Sequence, residues 1–146
     1  MSYKNTINDV ELITLNLIES EDASLFIFEN INKIFEIKRI FTVRRNKEDS
    51  YQRGRHAHKR DQQIVTCPYG SIRFTVFDGV QNKTYIIDSP QKAVYVPCYI
   101  WTETDYLESS TVVTVYSSHP YDEKSYIRDY GDFLKIVNQN REIHKQ

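Results

Sequence analysis

The sequence predicts an all-β protein, folded as a sandwich or barrel, with one helix at its C-terminal end. Short apolar or alternating segments recur along the chain at a spacing of roughly 8–12 residues. Turn signals made of Pro, Gly, Asp and Ser separate these segments. The 11 tyrosines and 7 phenylalanines are many for 146 residues, and aromatic side chains favour pleated sheet.

The individual strands follow from alternation and from apolar runs. We expect strands at residues 7–18 (one strand or two), 25–28, 35–43, 62–67, 71–77, 83–87, 93–96 and 111–116. The turns and loops expected between them are residues 20–24, the charged run 44–54, Pro68-Tyr69-Gly70, Asp78-Gly79, Ser89-Pro90, Pro97 and the polar run 102–110. In the segment 35–43, Arg39 shares a largely apolar face with Phe41 and Val43, whereas Thr42 faces the other way.

The C-terminal end has helical periodicity instead. Asp122 can cap a helix that starts near Glu123, and apolar residues follow at spacings of three and four. Gly131 would weaken or interrupt this helix, and the polar residues 138–146 are expected to fray.

Length and composition limit the function classes. The 146 residues are enough for a single domain, 1–146, with its own core. The net charge of −1 gives no reason to expect nucleic acid or a membrane as partner. Cys67 and Cys98 are too few for a disulfide scaffold and are expected to be reduced thiols. The polar N-terminus and the lack of a long apolar run predict a cytoplasmic protein.

The densest functional signal is the run Arg53-Gly54-Arg55-His56-Ala57-His58-Lys59. Two histidines at i and i+2 on a strand point to the same face. Imidazole can take up and return a proton near neutral pH, and nearby cations can stabilise an oxyanion or hold a phosphate. A surface pair of histidines without a catalytic role is the alternative interpretation.

The spacing of His56, His58, Gln63 and Gly70 resembles the first signature of the cupin barrels. Metal-binding cupins carry Glu at the position of Gln63 and a third His five residues after a proline. Here that proline is Pro97, and the fifth residue after it is Thr102. Two histidines with a neutral amide make a poor site for a divalent metal, so we expect no metal.

A more specific resemblance covers roughly residues 10–135. The elements that carry it are Ile37-Lys38-Arg39-Ile40-Phe41, Arg53-Gly54 with His56-Ala57-His58-Lys59, Gln63, Gly70-Ser71, Asp78-Gly79, Val96-Pro97 with Ile100-Trp101, and Tyr121-Asp122-Glu123 with Tyr126-Ile127-Arg128-Asp129-Tyr130. Together they resemble the dTDP-4-keto-6-deoxyglucose 3,4-ketoisomerases, which are WxcM-like cupins. The resemblance implies a jelly-roll homodimer of the RmlC-like type and a dTDP-linked 4-keto-6-deoxy sugar as substrate, with no metal and no organic cofactor. It also implies a pathway that makes a 3-amino-3,6-dideoxyhexose for bacterial surface glycans.

The resemblance also implies roles for particular residues. His56 matches the base that takes the C3 proton, and His58 matches its partner in the pocket. The expected substrate-binding residues are Arg39, Arg53, Lys59, Gln63 and Arg128, with Arg128 on the pyrophosphate. An ion pair of Arg128 with Glu123 or Asp129 is the alternative. For Tyr121, Tyr126 and Tyr130 we favour packing in the core or a dimer interface.

Three positions depart from the family pattern. Family members usually carry a larger residue near Asp22, a tyrosine at Thr42, and His or Arg at Thr102. We expect all three to line the sugar end of the pocket and to affect substrate choice, product stereochemistry or activity. Two other functions stay open, a non-catalytic module that binds a sugar nucleotide and a related sugar-nucleotide epimerase.

An N-terminal excess of apolar residues favours a homodimer. The segment that contains Ile7, Val10, Leu12, Ile13, Leu15 and Leu17 has more hydrophobic residues than one buried face needs. Pairing between two subunits would cover these residues and the edge strands.

Overall fold

Two five-stranded antiparallel sheets form the body of the protein, in a computed structural model that describes residues 5–46 and 51–145. The strands are β1 (Glu11–Thr14), β2 (Asn16–Glu19), β3 (Ser24–Ile27), β4 (Arg39–Arg44), β5 (Tyr51–His58), β6 (Gln63–Tyr69), β7 (Ile72–Phe77), β8 (Asn82–Ile87), β9 (Lys92–Val96), β10 (Trp101–Tyr106), β11 (Val112–Ser117) and β12 (Tyr126–Ile127). One helix, α1, covers Tyr130–Lys145, and short 3₁₀ helices lie at Ile7–Asp9, Ile31–Lys33 and Glu123–Ser125. This agrees with the predicted all-β architecture with a C-terminal helix.

The order of strands places non-consecutive strands side by side. The first sheet runs β1-β9-β6-β11-β4 and the second runs β12-β5-β10-β7-β8, while β2 and β3 form a separate hairpin. Apolar side chains of both five-stranded sheets meet in one core cluster, with Val65 and Val94 from the first sheet and Ile72 and Val76 from the second. The barrel interior is therefore the space between these two sheets.

A second apolar cluster lies on the outer face of the second sheet. There α1 packs Phe133 and Val137 against Trp101 of β10 and Ala57 of β5. Ala57 and Phe133 are completely buried. The helix therefore fixes the outer side of the strand whose inner side carries the two histidines.

Most predicted strands of the barrel are confirmed within one or two residues, but the segment 35–43 is strand only from Arg39 onward. The predicted turn at 20–24 lies in the β2–β3 hairpin, where Ser20 and Ala23 bond to each other. Cys67 and Cys98 are free thiols, as predicted.

Two segments predicted as loops were wrong in part, because both contain strands of the site. β5 begins at Tyr51, inside the expected loop 44–54, and residues 47–50 of that loop lie outside the described residues. β10 occupies Trp101–Tyr106, inside the polar run 102–110. Thr102 and Thr104 of β10 line a cavity, so this strand has polar residues where alternation would otherwise place apolar ones.

The C-terminal helix begins later than predicted. Asp122 is a cap, as expected, but it caps the 3₁₀ helix Glu123–Ser125, whose Lys124 amide donates to the Asp122 carboxylate over 3.0 Å. β12 follows and pairs with β5, which interrupts the helical periodicity.

α1 is also more regular than predicted. It begins at Tyr130, where the Asp129 carboxylate accepts the Asp132 amide at 2.8 Å. Gly131 does not interrupt it, and the residues expected to fray are helical up to Lys145. In the described part of the chain, no helix combines the length and the hydropathy that crossing a membrane would need.

Gly70 is required by the tight turn between β6 and β7. Its φ is +83°, and a Cβ atom there would lie 2.3 Å from Thr111 Oγ1 and 2.9 Å from Thr111 Cα. An L side chain in this conformation is strained, and the contact with the Thr111 backbone cannot be relieved by a rotamer change.

We expect Gly70→Ala to lower the free energy of unfolding by about 2–4 kcal/mol, measured by urea denaturation. Gly131→Ala is the matched control. Gly131 lies in α1 without a positive φ, and its nearest contact would be Asp129 Oδ1 at 3.1 Å. An effect of Gly70→Ala no larger than that of Gly131→Ala would contradict the steric argument.

Candidate active site

A cavity of about 620 Å³ opens into the barrel interior. We call it the main cavity. Its buried wall is apolar and is formed by Phe41, Val43, Val65, Phe74, Val113 and Val115. Arg53, Arg55 and Arg128 also line it, and all three side chains are exposed, so the cavity is cationic where it meets solvent. Such a cavity suits a ligand with an uncharged ring and an anionic group.

A β-bulge lies among the five consecutive residues of β5, 52–56, that line the main cavity. In the pairing of β5 with β10, Thr102 faces His56 but Thr104 faces Arg53, so Gly54 and Arg55 together oppose one residue. Gly54 has a φ of +70°, which fits the extra residue of a bulge. Strict alternation would place only half of residues 53–56 on the cavity, whereas all four line it.

His56 and His58 lie on the same face of β5, as predicted. Their ring centroids are 4.7 Å apart and the rings are nearly perpendicular, at 84°. Tyr126 of β12 lies against both rings, with centroids 5.0 Å from His56 and 4.4 Å from His58. The three rings form one compact group at the end of β5.

The two histidines nevertheless face different spaces. His56 lines the main cavity, whereas His58 lines a second cavity of about 260 Å³, which we call the side chamber. Arg39 and Asp61 also line the side chamber, and Tyr121 and Tyr126 line both spaces. The resemblance implied that His58 is the partner of His56 in the pocket; in the structure His58 contacts His56 but lines the side chamber and not the main cavity.

Burial lowers the pKa of both imidazoles. The pKa of His56 falls from 6.5 to about 3, because of burial first and then because of the positive charges of His58, Arg128 and Arg53. The pKa of His58 also falls to about 3, because of burial and then because of Arg39 and Arg128. Both rings are neutral at pH 7, so each has a nitrogen lone pair that can accept a proton. Both ring nitrogens of His58 are buried without a hydrogen-bond partner in the described structure.

Arg128 lies at the surface edge of the main cavity and is held there by two contacts. Its Nε and Nη2 donate to Glu123 over 2.6 and 2.9 Å, and its guanidinium carbon is 4.3 Å from the centroid of the Tyr126 ring. The ion pair with Glu123 that was the alternative interpretation is therefore present, and Arg128 lines the cavity as well. Hydrogen bonds from Arg128 and Tyr121 lower the pKa of Glu123 to about 2.

Gln63 and Thr102 line the main cavity at positions where metal-binding cupins carry ligands. The Gln63 amide donates to Asp61 over 3.2 Å and to Ser117 over 3.2 Å, and the Thr102 hydroxyl donates to the Gly54 carbonyl over 3.1 Å. Both side chains are neutral. Within residues 5–46 and 51–145, no three His, Cys, Asp or Glu side chains are grouped so that they could hold a metal ion.

Three predicted residues line neither the main cavity nor the side chamber. Lys59 is exposed and lines neither space, because it follows the inward-facing His58. Thr42 does not line the cavity, and that expectation was wrong. Its hydroxyl lies 3.0 Å from that of Thr114 on the outer face of the first sheet, which the alternation with Phe41 already indicated. Asp22 is exposed in the β2–β3 turn and does not line either space within this chain.

Sequence reasoning also missed residues of the site. Tyr121 and Tyr126 line the main cavity, although packing was favoured for them, whereas Tyr130 does pack, against Phe77 and Trp101. Asp61 was not singled out, although an acidic residue that follows the basic run 53–60 is a visible signal. Arg39 was placed among the binding residues, and it pairs with this Asp61 over 3.1 Å.

Comparisons with known proteins agree with this geometry. The family described as "FdtA: WxcM-like, C-terminal" matches residues 8–138. A relative from Aneurinibacillus thermoaerophilus, named TDP-4-oxo-6-deoxy-alpha-D-glucose-3,4-oxoisomerase, is 36% identical over 121 residues, which are 83% of this chain and 86% of the relative.

Solved structures show the same fold. A 3,4-ketoisomerase from Helicobacter canadensis superposes with a TM-score of 0.81 at 32% identity, covering 89% of this chain and 98% of that one. The sugar 3,4-ketoisomerase QdtA from Thermoanaerobacterium thermosaccharolyticum, in complex with TDP, gives 0.84 at 26% identity, covering 92% and 98%. A His-to-Asn mutant of QdtA has been solved in complex with TDP-4-keto-6-deoxyglucose. The predicted cupin-type, RmlC-like barrel is thereby confirmed, and this chain belongs to the WxcM-like FdtA family.

Proposed function

We propose that this chain is a nucleotide-sugar 3,4-ketoisomerase that converts a dTDP-linked 4-keto-6-deoxy sugar into its 3-keto isomer. The observation that carries the proposal is the neutral His56 imidazole in a cavity that is apolar inside and bordered by arginines. The relatives named as 3,4-ketoisomerases support the same activity. The family match favours this chemistry over the epimerase alternative.

The reaction needs a base, a stabilised oxyanion and a proton donor. His56 removes the proton at C3, and the electrons of that C–H bond form the C3–C4 double bond of an enediolate whose charge lies on the former C4 carbonyl oxygen. The O3 proton then moves to the former C4 oxygen, and delivery of a proton to C4 completes the 3-keto product. One proton leaves C3 and one arrives at C4, so there is no net uptake of protons. The cations Arg53 and Arg128 are placed to stabilise negative charge on the bound ligand.

The diphosphate of the substrate is expected at the arginine border. Arg53 and Arg128 are exposed there, and guanidinium groups bind phosphate oxygens in a bidentate manner, whereas the Arg55 guanidinium pairs with Glu103, which does not line the main cavity. The sugar then extends toward His56 and the apolar wall, which can accommodate the C6 methyl group. The complex of the relative QdtA with TDP supports a thymidine nucleotide as the part of the substrate by which it is bound.

We further propose that the reaction needs no metal and no organic cofactor. The neutral Gln63 and Thr102 occupy the positions of two cupin ligands, and the Gln63 amide nitrogen is already bound to Asp61 and Ser117. Proton transfer between adjacent carbons requires no change of oxidation state in the protein.

The biological setting is part of the same proposal and rests on the family resemblance. Residues 1–146 act as one ketoisomerase domain in the cytoplasm, where the free thiols Cys67 and Cys98 stay reduced. The C3 ketone of the product is the group that an amination reaction needs, which fits a 3-amino-3,6-dideoxyhexose for surface glycans.

A homodimer is proposed from the apolar residues that this chain leaves exposed. Leu12, Ile18, Leu25 and Ile40 are each more than half exposed, and they lie on β1, β2, β3 and β4. The β2–β3 hairpin is paired to neither five-stranded sheet, and an isolated two-stranded hairpin is marginally stable in water. A second copy of the chain would cover both features.

We expect His56→Asn to lower turnover of dTDP-4-keto-6-deoxyglucose by about 10²–10⁴-fold while dTDP binding changes by less than about 2-fold. Proton NMR in deuterated buffer with EDTA measures loss of the C3 proton and growth of the 3-keto sugar. His119→Asn is the matched control, since it makes the same substitution at a histidine that does not line the main cavity.

Full activity of His56→Asn would contradict the assigned base. Loss of wild-type activity in EDTA would contradict the metal-free mechanism. Binding of the sugar nucleotide by the wild-type protein without exchange or product would favour the non-catalytic module instead.

The lowered pKa of His56 predicts an unusual pH profile. The ring stays basic until the pH falls toward its pKa of about 3, so kcat/KM should be flat from about pH 8 to about pH 5. The unfolded chain takes up protons at an ordinary pKa of 6.5, so His56 and His58 make the folded state less stable as the pH falls below 6.5. Circular dichroism at each pH separates this unfolding from catalysis, and a fall in kcat/KM centred near 6.5 in the folded protein would count against the prediction.

Light scattering at micromolar concentration should give about twice the chain mass of 17.3 kDa. Leu25→Asp should shift the protein toward the monomer, because it places a charge on the exposed hairpin face. Val80→Asp is the control, since Val80 is 67% exposed in the turn between β7 and β8. A wild-type monomer would refute the dimer.

A further inference from the structure

Asp61 is a buried carboxylate between the two cavities and has no role in the chemistry described above. It is only 3% exposed. Its Oδ2 accepts hydrogen bonds from Arg39 over 3.1 Å and from Gln63 over 3.2 Å. Its Oδ1 accepts from the Ser118 hydroxyl over 3.3 Å and from the His119 amide over 3.1 Å. A buried carboxylate needs such partners to be tolerated, and these come from three different segments of the barrel.

The contact with Asp61 decides which way the Gln63 amide is turned. An ionised carboxylate accepts hydrogen bonds but cannot donate one, so it must face the NH₂ group of the amide. The second N–H of this group meets the Ser117 hydroxyl at 3.2 Å. A flipped amide would place its carbonyl oxygen against the carboxylate and lose the bond to Asp61, whereas the Ser117 hydroxyl could bond to either end of the amide.

The orientation leaves one polar atom of Gln63 for a ligand. Gln63 lines the main cavity, and its Oε1 has no hydrogen-bond partner within the described residues. This atom is an acceptor, so it selects a donor such as a sugar hydroxyl and disfavours a ketone oxygen at the same point.

We infer that Asp61 is a positioning residue that holds the Gln63 amide with its carbonyl oxygen available to a hydroxyl group of the sugar. This inference rests on the proposed ketoisomerase function and extends it to substrate orientation. A substrate with one ketone and adjacent hydroxyl groups can enter a cavity in more than one orientation. A fixed acceptor favours the orientation that places a hydroxyl, and not the ketone, beside Gln63.

Asp61 also holds the other wall of the site in place. Arg39, its ion-pair partner, lies over the ring of Phe41 at 5.2 Å and over the ring of Tyr121 at 5.6 Å. Both rings line the main cavity. A test must therefore separate an effect through Gln63 from a general loss of structure through Arg39.

The test compares Asp61→Asn, Gln63→Met and the double variant. In Asp61→Asn a single acceptor oxygen remains for donors that now bind two carboxylate oxygens, and the new NH₂ group can itself donate, so the Gln63 amide is no longer held in one orientation. We expect Asp61→Asn to lower kcat/KM for dTDP-4-keto-6-deoxyglucose by about 10–100-fold, while the Kd of dTDP alone changes by less than about 2-fold. In the Gln63→Met background, Asp61→Asn should lower kcat/KM by less than about 3-fold, because the amide that Asp61 orients is already absent.

Ser118→Ala is the matched control. It removes one partner of Asp61 Oδ1 but leaves the contacts of Oδ2 with Gln63 and Arg39. We expect it to lower the thermal midpoint with kcat/KM within about 2-fold of the wild type. If Asp61→Asn does not fold, Asp61→Asn combined with Arg39→Gln removes the unpaired buried cation and is compared with Arg39→Gln alone.

Two results would overturn the inference. One is an unchanged kcat/KM in Asp61→Asn. The other is a double variant whose kcat/KM falls by the product of the factors measured for Asp61→Asn and Gln63→Met alone. A wild-type protein that binds the sugar nucleotide without isomerising it refutes the proposed function instead. The positioning role is then judged by whether Asp61→Asn weakens binding of the sugar nucleotide about 10-fold more than binding of dTDP.

Discussion

Pairing of β5 along both of its edges is the constraint on which the site depends. β10 pairs with one edge of β5 and β12 with the other, so the peptide planes of residues 56–58 cannot rotate. Alternation then sends both histidine rings inward and sends Ala57 outward into the cluster under α1. Ala57 is completely buried there, so a larger residue would move β5 and both rings with it.

The sequence predicted the parts of the fold that follow from local rules. Alternation identified the inner strands of the barrel, and the spacing of His56 and His58 placed two rings on one face. It failed at β10, because a strand is recognised by apolar residues on its inner face, and the inner face of Trp101–Tyr106 carries the polar Thr102 and Thr104. It also failed at Thr42, where a family alignment was preferred to the alternation that correctly places this residue outside.

Long-range pairing explains what else was missed. The apolar residues from Tyr126 and Ile127 onward recur at spacings typical of a helix. These two residues form the strand β12 because they pair with β5, which is distant in sequence. Asp61 is adjacent in sequence to a basic run, which suggests a solvated ion pair. Burial by β4, β6 and the end of β11 turns it into the acceptor for Arg39 and Gln63. Neither outcome can be calculated from residues close in sequence, because each depends on which distant strands meet.

The segment 121–130 supplies residues that line the two cavities and also begins the helix on the outer face of the barrel. Tyr121 and Tyr126 divide the two cavities, Arg128 borders the main cavity, and Asp122 caps the turn that places all three. Tyr130 then starts α1 and packs on Trp101, the residue before Thr102 in β10. One short motif therefore supplies the aromatic contact of both histidines, a cation at the edge of the main cavity and the attachment of the helix. Because these roles share one backbone path, a change that shifts the Glu123–Ser125 turn would disturb the Tyr126 ring and the Arg128 guanidinium together, even though Glu123 itself is exposed.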